Sequence, residues 1–119
     1  MFVFIECWKA RQEWIDLKVE ERTAYMAELG KGIQSLVEAG VEIVTWSIND
    51  PGISRRSKFD YFAIWKFPTR EFSKQFEQIV EQSGWYTYFD QVNLGGEEGM
   101  PDACVGHIIN LQKLEETVV

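Results

Sequence analysis

The feature that most constrains this fold is a set of short β-strand patterns that are apolar on both faces. In the first pattern, residues 2–8, the apolar side chains alternate between two sides, with Val3, Ile5 and Cys7 on one and Phe2, Phe4 and Trp8 on the other. Successive side chains of a strand point to opposite sides of its sheet. A sheet built from such strands therefore has to be covered on both faces.

The rest of the chain predicts three further strands and two long helices. The strands are predicted at residues 41–48, 59–67 and 103–111, and the last follows an irregular loop that contains Gly95 and Gly96. Apolar residues at helical spacing predict helices over residues 19–39 and 69–83, and residues 85–89 predict a short helical turn.

The element order is thus β-α-β-β-α-β, which predicts one α+β domain over residues 1–119 with a ferredoxin-like arrangement. We expect a four-stranded antiparallel sheet in the order 4-1-3-2, with both helices on one face. Two helices leave the other face bare, and soluble monomers rarely expose so large an apolar patch. We therefore expect a homodimer that packs sheet against sheet, with an interface on the order of 2,000 Å². The leading candidates for its centre are Phe4, Trp8, Tyr61 and Trp65.

Several features together resemble the dimeric α/β-barrel superfamily. They are the element order, the two-faced strands, the long first helix ending in Gly40-Val41, and the segment SGWYTYFDQVN at residues 83–93. The chain is similar to antibiotic-biosynthesis monooxygenase-like proteins and to uncharacterised small bacterial members of that superfamily. The resemblance implies a ferredoxin-like domain that pairs as a dimeric α/β barrel, with a small-molecule site. Cofactor-free oxygenation and isomerisation are the reaction types that it implies.

Composition narrows the functions further. The net charge is −7 and the basic residues are scattered, so we expect no nucleic-acid partner. The N-terminal residues lack the pattern of a secretory signal, and no apolar stretch approaches the ~20 residues of a membrane helix, which predicts a cytoplasmic protein without a membrane partner. Cys7 and Cys104 have neither metal-ligand nor disulfide spacing and are interpreted as buried reduced thiols. We expect no metal and no bound cofactor.

Two residues are candidates for acid–base catalysis. Glu6 lies between Phe4 and Trp8 on one strand face, where burial would raise its pKa, although a partnered carboxylate at an interface is an equally simple interpretation. His107 is the only histidine; it is either a catalyst or a hydrogen-bonded core residue. If the fourth strand pairs with the first, one register places His107 on the face of Glu6, and a shift by one residue separates them.

The aromatic residues are candidates for the walls of a ligand site, and packing alone would also account for them. The candidates are Trp8, Trp46, Tyr61, Trp65, Tyr86 and Tyr88. The sequence thus predicts an enzyme or binder for a small aromatic or lipophilic molecule. The alternative is a dimeric interaction module without catalysis. A ligand-sized cavity that contains Glu6 and His107 would favour the first hypothesis, and a filled core would favour the second.

Overall fold

A computed structural model describes residues 1–112 of the chain. In chain order its elements are β1 (Phe2–Ala10), α1 (Gln12–Ile15), α2 (Val19–Glu38), β2 (Glu42–Ile48), β3 (Tyr61–Phe67), α3 (Arg70–Gln82), α4 (Trp85–Tyr88), β4 (Phe89–Glu97) and α5 (Pro101–Ile109).

The four strands form one antiparallel sheet in the spatial order β2-β3-β1-β4. Strand β1 is central, and its residue Glu6 lies opposite Ala63 of β3 and Asn93 of β4. Strand β2 pairs with β3, with a shift of register between Ile43 and Thr45. The predicted α+β class and the four-stranded antiparallel sheet are confirmed.

The fourth strand is not the predicted segment. Residues 89–97 form it, whereas most of the segment predicted as a strand, residues 103–111, belongs to helix α5. Two signals favour the helix. Pro101 lies in its first turn, where the missing N–H costs nothing, and Asp102 places a negative charge near the positive end of the helix dipole. The predicted order 4-1-3-2 thus holds only with β4 in place of the predicted strand.

Gly95 and Gly96 lie inside β4, so their predicted place in an irregular loop is wrong. A Cβ atom on Gly95 would lie 3.2 Å from two ring carbons of Phe2 on the neighbouring strand. Glycine at this position lets the Phe2 ring lie against the backbone of β4. Gly95 is therefore a packing position within the sheet.

One face of the sheet carries the aromatic core. Strand β1 contributes Phe2, Phe4, Glu6 and Trp8, all 4–5% exposed. From β3, Trp65 and Phe67 lie on the same face, and the ring of Phe76 from α3 lies 5.2 and 5.1 Å from theirs. Because Phe4, Trp8 and Trp65 are core residues of the single chain, their predicted place at the centre of a dimer interface is wrong. Tyr61 lies on this face too, stacked on Trp8.

Helices α2 and α3 both pack against this core, and they begin and end where the sequence predicts. The hydroxyl of Thr69 accepts a hydrogen bond of 3.1 Å from the backbone N–H of Phe72, which caps α3. Gly40 and Gly84 follow the two helices with φ angles of +103° and +83°. Glycine adopts this left-handed conformation without steric cost, so both helices end there.

The opposite face of the sheet is apolar and uncovered. We call it the open face, and it consists of Val3, Ile5, Cys7, Phe62, Ile64, Val92 and Leu94. None of these seven side chains is buried by the described residues. At the centre, Ile5 lies between Ile64 and Leu94, and Leu94 is 63% exposed.

Helix α5 buries none of its residues. Its large apolar side chains, Val105, Ile108 and Ile109, are exposed, and so is Cys104, which was predicted to be buried. Cys7 is half-buried on the open face. No helix within residues 1–112 combines the length and the apolar character needed to cross a membrane.

Candidate functional site

A cavity of about 830 Å³ lies between the aromatic face of the sheet and the helices α2 and α3. The sheet contributes its floor, which consists of Glu6, Trp46 and Trp65. The walls include Tyr25, Leu29, Ile33, Leu36, Phe76, Val80, Trp85 and Tyr88. A volume of this size lies within the range of small-molecule sites, and its lining is mainly apolar, as in such sites.

The cavity exists because α2 lies away from the floor of the sheet. Of the 20 residues of α2, none is buried, although Leu29, Ile33 and Leu36 form an apolar stripe at helical spacing. These three side chains face the cavity and pack only partly against the core. A helix of this length normally buries its apolar stripe, so the space under α2 is a property of the fold that needs an explanation.

Among residues 1–112, Glu6 is the one buried carboxylate, and both of its oxygens accept hydrogen bonds. The indole Nε1–H of Trp65 donates to Oε1 at 2.7 Å, and the amide of Gln91 donates to Oε2 at 2.8 Å. Trp65 is 1% exposed, so its indole is a fixed donor. The carboxylate is thus held in one orientation at the cavity floor.

Gln91 is held in turn by its own neighbours. Its side-chain oxygen accepts a hydrogen bond of 2.7 Å from the indole of Trp85, and its amide also donates to Asn93 at 2.8 Å. The described residues contain no buried polar side-chain atom without a hydrogen-bond partner. The network from Trp65 through Glu6 and Gln91 to Trp85 is therefore complete, which is the condition for a buried polar group to be tolerated.

Burial raises the pKa of Glu6 above its ordinary value of 4.5, and the hydrogen bonds from Gln91 and Trp65 offset part of that rise. The cause is the loss of hydration of the charged form in an apolar core. A carboxylate with a raised pKa is a stronger base than one in water. At the floor of a cavity it can take a proton from a bound molecule and return it.

This shift of the Glu6 pKa predicts how stability depends on pH. Because the folded state binds the Glu6 proton more tightly than the unfolded state, Glu6 destabilises the fold progressively as the pH rises from about 4.5 through the raised pKa. Glu6→Gln cannot titrate, so its stability relative to the wild type should increase over that range. The difference in free energy of unfolding between the two proteins should change by at most about 1.4 kcal/mol per pH unit.

The measurement is urea denaturation of both proteins between pH 4 and pH 7.5. Only the difference between them is interpreted, because the other titrating groups then cancel. Glu20→Gln, on the exposed start of α2, serves as the control for removing one negative charge. A difference between Glu6→Gln and wild type that stays constant with pH would contradict the assignment.

The structure brings four of the eight predicted site residues together at the cavity, namely Glu6, Trp46, Trp65 and Tyr88. Trp8 lies behind the lining, with its ring 5.1 Å from that of Trp46 and 5.7 Å from that of Trp85. Tyr61 stacks on Trp8 at 5.9 Å, at the end of β3. Tyr86 is half-buried next to Asn93, and burial raises the pKa of its hydroxyl. These three residues lie outside the cavity lining.

His107 does not meet Glu6. It lies on the exposed helix α5 and outside the cavity lining, and the β4 residue opposite Glu6 is Asn93. The prediction that His107 lies on the fourth strand is therefore wrong, and neither of the two registers considered for it beside Glu6 occurs. It depended on assigning residues 103–111 to the fourth strand.

Gln91 and Trp85 are functional candidates that the sequence analysis missed. Both belong to the network around Glu6, and Gln91 lies on β4, which was not predicted as a strand. A signal was present in the chain, because the polar Gln91 and Asn93 alternate with the apolar Val92 and Leu94. Such a period of two is typical of a strand with one polar and one apolar face.

Within residues 1–112, no group of three or more His, Cys, Asp or Glu side chains has the geometry of a metal site. The polar chemistry of the cavity floor is that of one carboxyl group and its donors. Fold and site together define the class as a small α+β protein with a buried carboxylate under an aromatic cavity.

Residues 1–111 match the model of DUF6616, a family of unknown function, and the chain belongs to this family. No curated protein and no solved structure is significantly similar to the chain.

Proposed function

We propose that this protein binds a small aromatic or lipophilic molecule in the cavity under α2, with Glu6 as the group that exchanges a proton with it. The observation that carries the proposal is the cavity of about 830 Å³ beneath a 20-residue helix that buries none of its residues. A bound apolar molecule would cover the stripe of Leu29, Ile33 and Leu36, which the fold leaves only half-buried. Burial of apolar surface contributes about 25 cal/mol per Å², so even partial filling favours binding.

Isomerisation is the reaction that Glu6 supports best among those implied by the resemblance to dimeric α/β barrels. Isomerisation requires a base that removes a proton from the substrate and an acid that replaces it, and one carboxyl group can do both. The fixed bonds from Trp65 and Gln91 hold Glu6 in place for such a transfer. A non-catalytic binder would use the same cavity, and only turnover distinguishes the two.

Filling the cavity should weaken binding. Ile33→Trp places a large ring among the walls formed by α2 and should weaken binding of the neutral fluorescent probe N-phenyl-1-naphthylamine by at least about tenfold, because the probe loses its space. The readout is a fluorescence titration that gives Kd for wild type and variant.

The matched control is Ala27→Trp, an exposed position on α2 outside the cavity lining. It should leave the Kd of the probe unchanged. An equal loss of probe affinity in both variants would indicate that the probe binds outside the cavity. The absence of saturable probe binding to the wild type would contradict the proposal.

We also propose that two copies pair through the open face, as in a dimeric α/β barrel. This face is apolar at its centre, and residues of both charges lie at its edges, Lys9 and Asp90 at one end and Glu42 and Lys66 at the other. A two-fold axis through its centre brings each edge against an edge of mixed charge, so the face is complementary to itself.

The size of the open face is also appropriate for a second copy. Four strands about 4.8 Å apart and about seven residues long, at about 3.3 Å per residue, give this side of the sheet a footprint of about 20 by 23 Å, in which β2 contributes the polar Thr45 and Ser47. Side chains make the accessible area larger than this flat footprint, and a stable pair needs about 800 Å² on each partner.

A further inference from the structure

We infer that the ligand of the cavity is a lipophilic amine, bound as its ammonium ion between the carboxylate of Glu6 and the aromatic walls. This inference rests on the proposed function and adds the chemical class of the ligand. It follows from the sign of the charges around the cavity, the acceptor capacity of Glu6, and the number of aromatic residues in the cavity lining.

All charged side chains that line the cavity within the described residues are acidic: Glu6 at the floor, and Glu21 and Glu28 on α2. Two basic residues come near without lining it. The guanidinium of Arg22 donates to the backbone carbonyl of Leu17, and Lys31 forms an exposed ion pair of 3.4 Å with Glu28. Exposed pairs of this kind contribute little, so the cavity presents a negative field to a ligand.

Glu6 retains capacity for a further donor. A carboxylate can accept about four hydrogen bonds, and protein donors occupy one position on each oxygen, from Trp65 and Gln91. An ammonium group supplies further donors and the opposite charge at the same time. Hydrogen bonds between charged partners are about twice as strong as neutral ones, and this difference grows where water is excluded.

The aromatic walls favour the same ligand. The lining includes the aromatic residues Trp46, Trp65, Trp85, Tyr25 and Tyr88, and aromatic side chains attract cations. Aromatic faces around one carboxylate are a typical arrangement for binding ammonium ions. A neutral lipophilic molecule would gain from the apolar walls alone and would leave the charge of Glu6 uncompensated.

Three matched probes test the inference: 2-(2-naphthyl)ethylamine, 2-(2-naphthyl)ethanol and 3-(2-naphthyl)propionate, each titrated by calorimetry at pH 7. We expect the amine to bind at least about tenfold more tightly than the alcohol, and the carboxylate to bind most weakly. Glu6→Gln should remove most of the preference for amine over alcohol, and the double variant Glu21→Gln/Glu28→Gln should reduce it. Glu13→Gln/Glu20→Gln, at two positions outside the lining, should leave it intact.

Equal or tighter binding of the alcohol or the carboxylate would overturn the amine inference while the cavity itself remains a binding site. An amine preference that survives Glu6→Gln unchanged would overturn it as well. If none of the three probes binds and N-phenyl-1-naphthylamine does not bind either, the proposed function fails together with the inference.

Discussion

Ile5→Asp should convert the proposed dimer to a monomer. Ile5 lies at the centre of the open face between Ile64 and Leu94, and in a two-fold pair each substitution enters the interface twice. An unpaired charge taken out of water costs several kcal/mol, so we expect the dimer to weaken by at least about 100-fold. Sedimentation velocity at micromolar concentration should give twice the chain mass of 13.9 kDa for wild type and the chain mass for the variant.

The matched control is Ile48→Asp, which makes the same chemical change at a 77% exposed position at the end of β2. It should still pair. Circular dichroism verifies that both variants are folded. A wild type that sediments at the mass of one chain would contradict the pairing, and so would an Ile5→Asp variant that pairs as the wild type does.

Trp65→Ala should be the most destabilising single substitution in the cavity. Trp65 is 1% exposed, its ring lies 5.2 Å from that of Phe76, and its indole is one of the two donors to Glu6. Truncation of a buried tryptophan costs about 3–5 kcal/mol, and a carboxylate oxygen left without its donor adds about 1–3 kcal/mol. Since domains are stable by only about 5–15 kcal/mol, the variant should be close to unfolding.

Urea denaturation measures this loss of stability. The protein concentration is kept fixed because pairing would make stability depend on it. Trp46→Ala provides the comparison. Trp46 lines the same cavity but is 40% exposed and makes no hydrogen bond to Glu6. Its truncation should therefore lower the free energy of unfolding by less than half as much as Trp65→Ala does. Trp65→Phe retains most of the ring and removes only the donor. A cost for Trp65→Ala no larger than that for Trp46→Ala would contradict the central role of Trp65.

Local sequence signals were sufficient to predict the elements whose own conformational preference agrees with the conformation that they adopt in the folded chain. The helical spacing before Gly40 and the Thr69 cap predicted α2 and α3, and both ends lie where glycine adopts a left-handed φ. The burial of Glu6 was also predictable, because Phe4 and Trp8 flank it at a spacing of two on the same strand face.

The fourth strand could not be predicted from local preference because two signals were misleading. Residues 103–111 are rich in β-branched and apolar side chains, yet most of them belong to a helix that buries none of its residues. Gly95 and Gly96 are typical of loops, yet β1 pairs with them, and Gly95 leaves room for the ring of Phe2. Pairing with a central strand overrides the weak preference of single residues for strand or loop.

The sequence by itself determined the class of fold, the helix ends, and the presence of a carboxylate among aromatic residues on one strand face. These properties follow from side-chain periodicity and capping, which act over a few residues. Only the tertiary structure decided that Trp65 and Gln91 are the partners of Glu6, that His107 lies on an exposed helix, and that α2 leaves a cavity beneath it. Those properties depend on strand register and on the distance between layers, and both are set by contacts between segments remote in sequence.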